Sequence, residues 1–323
     1  MKYRTLAFIL LLIPPGIHAE NPVKQVLTKA DTLLQKIYYA GGYDTTYIRH
    51  SEGKMGVKLW GNASGSSLRA NGPNMKATLK TDNKTTLSAE FDYYDLSLEM
   101  ALPISLNGKN DDLELNFNLY GRRYNINACY QNAKSAAGTI TYDGTTTDIE
   151  KGWLHTNILN LSFYYTFNHR HFSYDAPFCQ LFVQKHSAGS WLAGLSFQSG
   201  SIKTTSNIPA NIPESYFRAQ HIGIGGGYAY NLVATKRWLL HFSVIPNVIV
   251  WKGNKIRMNG EQVHDNMKSP TILVDAKVAS VYYLSPRHFM GFNGLINGLM
   301  KRKSKTEIIE DKWFFRLFYG VRI

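Results

Sequence analysis

Lys312-Trp313-Phe314-Phe315-Arg316-Leu317-Phe318-Tyr319-Gly320-Val321-Arg322-Ile323 is the stretch on which the fold turns. Trp313, Phe315, Leu317, Tyr319, Val321 and Ile323 fall on one side of an extended chain, and Arg316 and Arg322 on the other. Successive side chains of a strand point to opposite faces, so this is a strand with one apolar and one polar face. The same period of two recurs back along the chain. Residues 94–104 set Leu96, Leu98, Met100 and Leu102 against Asp95, Ser97 and Glu99, and residues 112–120 set Leu113, Leu115, Phe117 and Leu119 against Glu114, Asn116 and Asn118. In 157–168, Leu159, Leu161, Phe163, Tyr165 and Phe167 oppose Asn160, Ser162 and Thr166. Ile222, Ile224, Tyr228, Tyr230 and Leu232 form another stripe, opposed by His221, several Gly and Asn231, and Trp238, Leu240, Phe242 and Val244 oppose His241, Ser243 and Asn247.

Composition agrees with strands. Of 323 residues, 20 are Tyr, 16 Phe and 26 Gly, a profile that favours strands and turns over helices. Charged residues are only 18%, too few for a disordered, highly charged chain. No apolar run beyond a short one at the start approaches the ~18 residues of a spanning helix, which excludes a polytopic helical membrane protein.

Alternation does not say which face is inside. A soluble lipocalin-like barrel hides its apolar face, whereas an outer-membrane barrel shows that face to lipid. Three features favour lipid outside. Residues 238–251 extend ~46 Å at ~3.3 Å per residue, and tilted they project to ~32 Å, enough for a membrane and its interfaces. Trp153, Trp191, Trp238, Tyr282, Tyr283 and Trp313 sit near strand ends, where a headgroup girdle takes them. The sequence also ends inside an amphipathic strand, as a barrel closed by its last strand does. The expected fold is all-β: an antiparallel up-and-down transmembrane barrel of about 12 strands, with 14 as the alternative.

Residues 1–19 read as a secretory signal: basic Lys2 and Arg4, apolar Leu6 to Ile13, the breakers Pro14, Pro15 and Gly16, then a small residue at Ala19. In residues 20–42, Asn21-Pro22 starts a helix, Val23, Val26, Leu27, Ala30, Leu33, Leu34 and Ile37 recur at helical spacing, and Gly41-Gly42 ends it. This amphipathic helix is expected to cap the barrel's periplasmic mouth or to plug its lumen. Residues 43–323 are the barrel. Tight turns are expected at 233–236, 284–287 and 187–190, and longer connections at 203–214, 252–269 and 301–311. Counting back from the C-terminus keeps short and long alternating until 132–155, which falls on the short-turn side and is too long. A further strand or hairpin is expected within it, at 139–148. Pro246 cannot donate to a ladder, so a bulge is expected there.

The formal charge is +13, but Lys and Arg are scattered, with one cluster at Lys301-Arg302-Lys303-Ser304-Lys305. A loop meeting anionic lipid headgroups accounts for it, and export argues against nucleic acid. The expected partners are outer-membrane lipid and lipopolysaccharide, with the barrel-assembly machinery during insertion. Cys129 and Cys179 are the only cysteines. They exclude a disulfide-dense scaffold, stand in no metal spacing, and leave open whether they pair.

Several segments resemble an outer-membrane family of Gram-negative bacteria catalogued as domain of unknown function 4421. They are Phe172-Ser173-Tyr174-Asp175-Ala176-Pro177-Phe178, Gln184-Lys185-His186-Ser187-Ala188-Gly189-Ser190, Tyr120-Gly121-Arg122-Arg123-Tyr124, Gly225-Gly226-Gly227-Tyr228-Ala229-Tyr230-Asn231 and Asp44-Thr45-Thr46-Tyr47-Ile48. His186 departs from the Lys expected there. The resemblance implies an outer-membrane barrel and no activity or catalytic residues.

Glu90, Glu99, Glu114, Arg123, Lys185, Asp275, Lys277, Arg316 and Arg322 are expected to point into the lumen, either as a salt-bridged filling or as the lining of a charge-selective passage. His241 and Ser243, two apart, point the same way on a strand, as do His171 and Ser173, which is the spacing some outer-membrane lipid deacylases use. Such pairs arise readily by chance, and His241 and Ser243 face away from acyl chains, so no catalytic residues, cofactor or metal are expected. His169 and His171, beside Arg170, read as an exposed polar turn rather than metal ligands. Gly225-Gly226-Gly227 lacks a following Lys and helix, so it fits a barrel bend rather than a phosphate loop. The functional expectation is a structural barrel or a narrow, porin-like passage. A lipid-modifying barrel hydrolase and a soluble periplasmic lipophile-binding barrel are the alternatives.

Overall fold

The computed structural model describes Thr32 and residues 42–51, 55–72, 75–93, 96–102, 104–105, 113–209, 215–258, 261–263, 271–303 and 306–323. Apart from Thr32 and Gly42, the expected signal (1–19) and helix (20–42) lie outside the described residues. The strands are β1 (Ile48–His50), β2 (Met55–Asn71), β3 (Met75–Lys80), β4 (Lys84–Tyr93), β5 (Leu96–Leu102), β6 (Ile104–Ser105), β7 (Leu113–Tyr120), β8 (Tyr124–Ala133), β9 (Ala137–Tyr142) and β10 (Thr145–Ile149). They continue as β11 (Leu154–Thr166), β12 (Phe182–Gln184), β13 (Ala188–Thr204), β14 (Ser215–Thr235), β15 (Trp238–Met258), β16 (Glu261–Val263), β17 (Thr271–Tyr283), β18 (His288–Lys303) and β19 (Thr306–Arg322). One helical turn, α1 (Asp175–Phe178), lies between β11 and β12.

The sheet closes into a barrel. Among the described residues its wall is made by twelve strands: β2, β4, β5, β7, β8, β11, β13, β14, β15, β17, β18 and β19. Pairing is antiparallel, and the last strand closes on the first, from Glu307 opposite Asn71 to Arg322 opposite Gly56. At one end the connections are short: residues 121–123, 236–237 and 284–287. At the other end β3 pairs with both β2 and β9, and β9 folds back on β10, so that short strands extend the wall above the barrel mouth.

The inward and outward faces are now distinct. Phe242, Val248 and Val250 of β15 are more than half exposed, whereas the alternate His241, Ser243 and Asn247 are buried. Leu59, Ile224, Ile296 and Leu317 on other strands are likewise exposed and apolar. A soluble lipophile-binding barrel would bury that stripe, so this distribution is that of a barrel in lipid. Trp191, Tyr228, Tyr230, Trp238, Tyr282 and Tyr319 stand exposed near the short-turn end, as an aromatic girdle does.

Two expectations about the chain path are corrected. Residues 187–190 are not a turn between two wall strands: β13 starts at Ala188, and all of 167–187 is one long connection at the short-turn end. Reading a wall strand into it shifted the count by one crossing, which is why 132–155 fell on the wrong side. That stretch lies at the loop end and holds the β9–β10 hairpin. The bulge expected at Pro246 is also absent there. Register runs unbroken from Gly225 opposite Asn247 to Tyr228 opposite Val244, and the shifts fall between Ile222 and Gly223 and between Val233 and Thr235. The glycines explain this better than a bend does, because a Cβ at Gly225 would stand 2.2 Å from the Pro246 carbonyl oxygen. A side chain at Gly225 would therefore collide with the backbone of β15 beside Pro246.

Candidate functional site: the plugged lumen

Residues 167–187 enter the barrel from the short-turn end and occupy that end of its lumen. The local sequence makes this segment compact. Ser173 Oγ accepts from the Ala176 amide at 3.2 Å and steadies the entry to α1, while Asp175 Oδ1 accepts from the Phe182 amide at 2.8 Å and folds the chain back. Gln184 Oε1 accepts from the Ser173 amide at 3.0 Å, and its Nε2 donates to the carbonyls of His171 at 2.6 Å and His186 at 2.9 Å. β12 then pairs with β1, Phe182 opposite His50 and Gln184 opposite Ile48, as a two-stranded sheet under the barrel.

Wall side chains hold this plug by its carbonyls. Lys58 Nζ donates to Cys179 O at 2.6 Å and to Glu90 Oε1 at 2.7 Å. Arg322 Nη2 donates to Gln180 O at 2.7 Å, and Asn231 Nδ2 to Ser173 O at 2.7 Å. Charged donors to buried carbonyls are among the stronger hydrogen bonds of a protein. Aromatic packing completes the seat. Tyr174 and Phe178 of the plug stack with Tyr120 of the wall at 5.5 and 5.2 Å between ring centres. Lys277 Nζ lies 5.1–5.7 Å from the centres of Tyr120, Tyr164, Tyr174 and Phe178. Two of these rings belong to the wall and two to the plug, so one ammonium ties them together.

Beyond the plug the lumen is polar and crossed by contacts between facing strands. Tyr164 OH donates to Asp275 Oδ2 at 2.8 Å, Lys277 Nζ to Asn127 Oδ1 at 2.5 Å, and Lys312 Nζ to Cys129 Sγ at 2.7 Å. Asn297 also donates to Asp275. Between these contacts remains a cavity of about 250 Å³, lined by Glu90, Asn160, Lys277, Lys312, Arg316 and both cysteines among others. Cys129 and Cys179 thus border one space, without a disulfide between them.

The candidate charges separate into three groups. Glu90, Asp275, Lys277, Arg316 and Arg322 are buried inside the barrel, Arg316 lying over the rings of Trp60 and Phe314. Glu99 stands opposite Glu90 in register and Glu114 opposite Gln131; their side chains lie outside the described residues. Arg123 and Lys185 are not on the lumen wall. Arg123 is in the turn between β7 and β8 and donates to His169 Nε2 at 3.2 Å. Lys185 is exposed between β12 and β13 and donates to Thr45 O at 3.0 Å. Both were placed on strands by alternation that stops short of them.

His169 is buried at the plug's rim, contrary to an exposed turn, and His171 approaches Asp44 at 3.4 Å. The Asp44 carboxyl is held below its ordinary range by hydrogen bonds from the Thr46 hydroxyl and amide, with His171 adding to them. His171 and Ser173 do not meet: Ser173 Oγ accepts from the Ala176 amide while His171 bonds Asn168 at 3.1 Å.

His241 and Ser243 do meet, and a third residue joins them. His241 Nδ1 lies 2.7 Å from Asn231 Oδ1, and His241 Nε2 lies 3.1 Å from Ser243 Oγ. Asn231 spends its Nδ2 on Ser173 O and on Gln184 Oε1, at 2.7 and 3.1 Å, so its oxygen faces the imidazole. That network assigns the proton to Nδ1 and leaves Nε2 to accept from Ser243. Tyr174 OH lies 2.9 Å from Ser243 Oγ. Burial pushes the Tyr174 hydroxyl well above the ordinary phenol range, so it stays protonated and donates to Ser243. Asn231, His241 and Ser243 are all buried, at 0%, 4% and 1% exposure, beneath the plug.

A closed antiparallel wall, apolar outside and polar within, defines an outer-membrane β-barrel with an internal plug. The sequence profile of the domain of unknown function DUF4421 matches residues 42–322, and the chain belongs to that family. No curated protein matches it in sequence. Among solved structures it is similar to the outer membrane protease OmpT of Escherichia coli, at 9% identity and a TM-score of 0.44, over 83% of this chain and 96% of that one. It is also similar to the translocator domain of the autotransporter NalP from Neisseria meningitidis (9% identity, TM-score 0.31, 93% and 98% covered). A third is OprG from Pseudomonas aeruginosa (12% identity, TM-score 0.29, 86% and 98% covered).

Proposed function

We propose that this protein is a narrow outer-membrane passage kept closed by its own plug, and that it opens when residues 167–187 withdraw toward the periplasm. One observation carries the reading: the inner part of the segment, residues 173–180, is held by wall side chains on its carbonyls, and bonds to the wall backbone fall at its ends, Phe167 to Trp191 and Ser187 to Val233. Such a segment can leave while every wall strand keeps its partners. The short-turn end faces the periplasm in barrels of this kind, so the plug enters from that side. An N-terminal secretory signal at 1–19 fits the same destination.

The test is conductance of the refolded protein in a planar bilayer, beside variants whose plug anchors are cut at Lys58 with Glu90 or at Arg322. A wild type that is mostly silent, with steady steps in the variants, supports the passage. Silence from all, in protein whose heat-modifiable gel mobility shows a folded barrel, refutes it and leaves a structural role.

A further inference from the structure

Asn231, His241 and Ser243 stand in the relation of orienting group, base and nucleophile. The arrangement is built by two adjacent wall strands. Asn231 of β14 pairs in register with His241 of β15, and Ser243 follows two residues on, on the same face. Ser243 is in turn opposite Lys277 of β17, whose ammonium belongs to the same ring cluster as Tyr174. A hydroxyl bonded to an unprotonated imidazole nitrogen, an imidazole fixed by a neutral acceptor, and a cation at the facing position of the next strand are groups that acyl transfer can use.

What the array lacks is space, and the plug occupies it. Phe172, Tyr174 and Phe178 surround His241 with ring centres at 6.1, 5.2 and 5.0 Å, and Tyr174 OH sits on the nucleophile. Withdrawal of residues 172–178 would vacate a pocket shaped by three aromatic rings directly over Ser243 Oγ. Its walls would include the apolar Leu192, Ala229 and Ile245, which pack against those rings.

We propose that Ser243 is a latent nucleophile for carboxylic esters with an apolar acyl group, uncovered when the plug withdraws. The inference rests on the plug being displaceable. In the first half-reaction Ser243 Oγ bonds to the ester carbonyl carbon and its proton passes to His241 Nε2. The carbonyl oxygen gains its negative charge beside Lys277. The bond to the alcohol oxygen then breaks, and the alcohol leaves with the proton from Nε2. In the second, water gives a proton to Nε2 and attacks the acyl carbon; the acid departs and Ser243 Oγ recovers its proton. Asn231 is a positioning residue that accepts from Nδ1 throughout.

The probe is an alkyl fluorophosphonate, which phosphonylates activated serines, applied to the full chain refolded in detergent. Plug displacement is read separately, by alkylation of Cys179 in a Cys129→Ser background. Two plug-loosened forms are used: Phe172→Ala with Phe178→Ala, and Arg322→Met, which keeps all the rings should the first not fold. The expected result is labelling of Ser243 at least about tenfold faster in a loosened form than in the wild type. The label is lost with Ser243→Ala. Within a loosened form, where loss of the Asn231 bonds to the plug no longer matters, it slows with Asn231→Leu and recovers with Asn231→Asp, which keeps the acceptor for Nδ1. Faster Cys179 alkylation with no adduct on Ser243 overturns this proposal and leaves the plugged passage standing. Unchanged Cys179 alkylation in both folded forms overturns the displaceable plug and this proposal with it.

Discussion

Replacing Arg322 by Met cuts one plug anchor and leaves its surroundings filled. Arg322 Nη2 donates to Gln180 O of the plug at 2.7 Å, and Nη1 to Pro286 O at 3.2 Å. Pro286 is in an exposed turn, where water replaces the lost donor, but Gln180 is buried. A buried carbonyl deprived of its partner costs about 1–3 kcal/mol. Met also gives up the guanidinium that lies 5.5 and 4.8 Å from the ring centres of Tyr283 and Phe289, but both rings belong to the wall, so that loss is common to the closed and open states. The cost therefore falls on the closed state of the plug. At ~1.4 kcal/mol per factor of ten, the population with the plug out rises about 5- to 150-fold. When closing is fast relative to the chemistry, alkylation of Cys179 in a Cys129→Ser background reports that population directly. The rate is expected to rise by at least fivefold, while the barrel keeps its heat-modifiable mobility. Arg218→Met, an exposed arginine on β14 near the loop end, serves as the control and is expected to change nothing. An Arg322→Met rate equal to the wild type's in a folded barrel would refute the argument that these carbonyl bonds hold the plug.

Ile296 is exposed at the middle of β18, and Ile296→Lys is expected to destabilise the inserted barrel by about 2–4 kcal/mol, read as a smaller folded fraction in lipid vesicles; no loss would argue that this face does not meet lipid. At Gly227 an added Cβ would lie 2.0 Å from Val244 O and 2.7 Å from Ile245 Cα, so Gly227→Ala must push β14 from β15. A cost of about 1–3 kcal/mol is expected, read as a lower temperature for loss of heat-modifiable mobility. Asp44 has a folded-state pKa depressed by its bonds from Thr46 and by His171, so its contribution is present above the unfolded value of about 3.9 and is lost as pH falls through the folded one. Proteolytic nicking within 42–51 should therefore increase in acid, and Asp44→Asn should show the increased level at neutral pH; equal nicking of the two at neutral pH would remove Asp44 from the account. Tyr164→Phe removes the hydroxyl bonded across the lumen to Asp275 and is expected to cost about 1 kcal/mol in urea unfolding, with little effect on Cys179 alkylation.

The wall was legible because its signal is local. Each strand carries its own alternation, and β15 shows how far that goes: of the residues read as lipid-facing, Trp238 and Phe242 are exposed and Leu240 and Val244 half-buried, while His241, Ser243 and Asn247 are buried. The plug was not legible for the opposite reason. Residues 172–184 are too short and irregular for any period, and Phe172, Tyr174 and Phe178 look like strand residues until the wall that covers them is known. The third member of the buried array illustrates an intermediate case. A two-residue turn at 236–237 would put Asn231 opposite Phe242, joining a lumen residue to a lipid one. The register shift between Val233 and Thr235 brings Asn231 opposite His241 instead. The two alternations together demanded that bulge, so the pairing was recoverable from the sequence by setting the faces of adjacent strands against the turn. The lumen charges were half legible: alternation puts Asp275 and Lys277 inside, but it says nothing of which rings or amides they meet across the barrel.

The small sheet of β1 and β12 gives the plug a handle. Besides its own ladder, the Ser51 amide donates to Leu181 O at 2.9 Å and the Lys185 amide to Tyr47 O at 2.7 Å. The chain just ahead of the first wall strand is therefore fastened to the plug on both sides of β12, while the wall takes no part in the bond. A tension applied through the N-terminal arm would load the plug before it loaded any stave of the barrel.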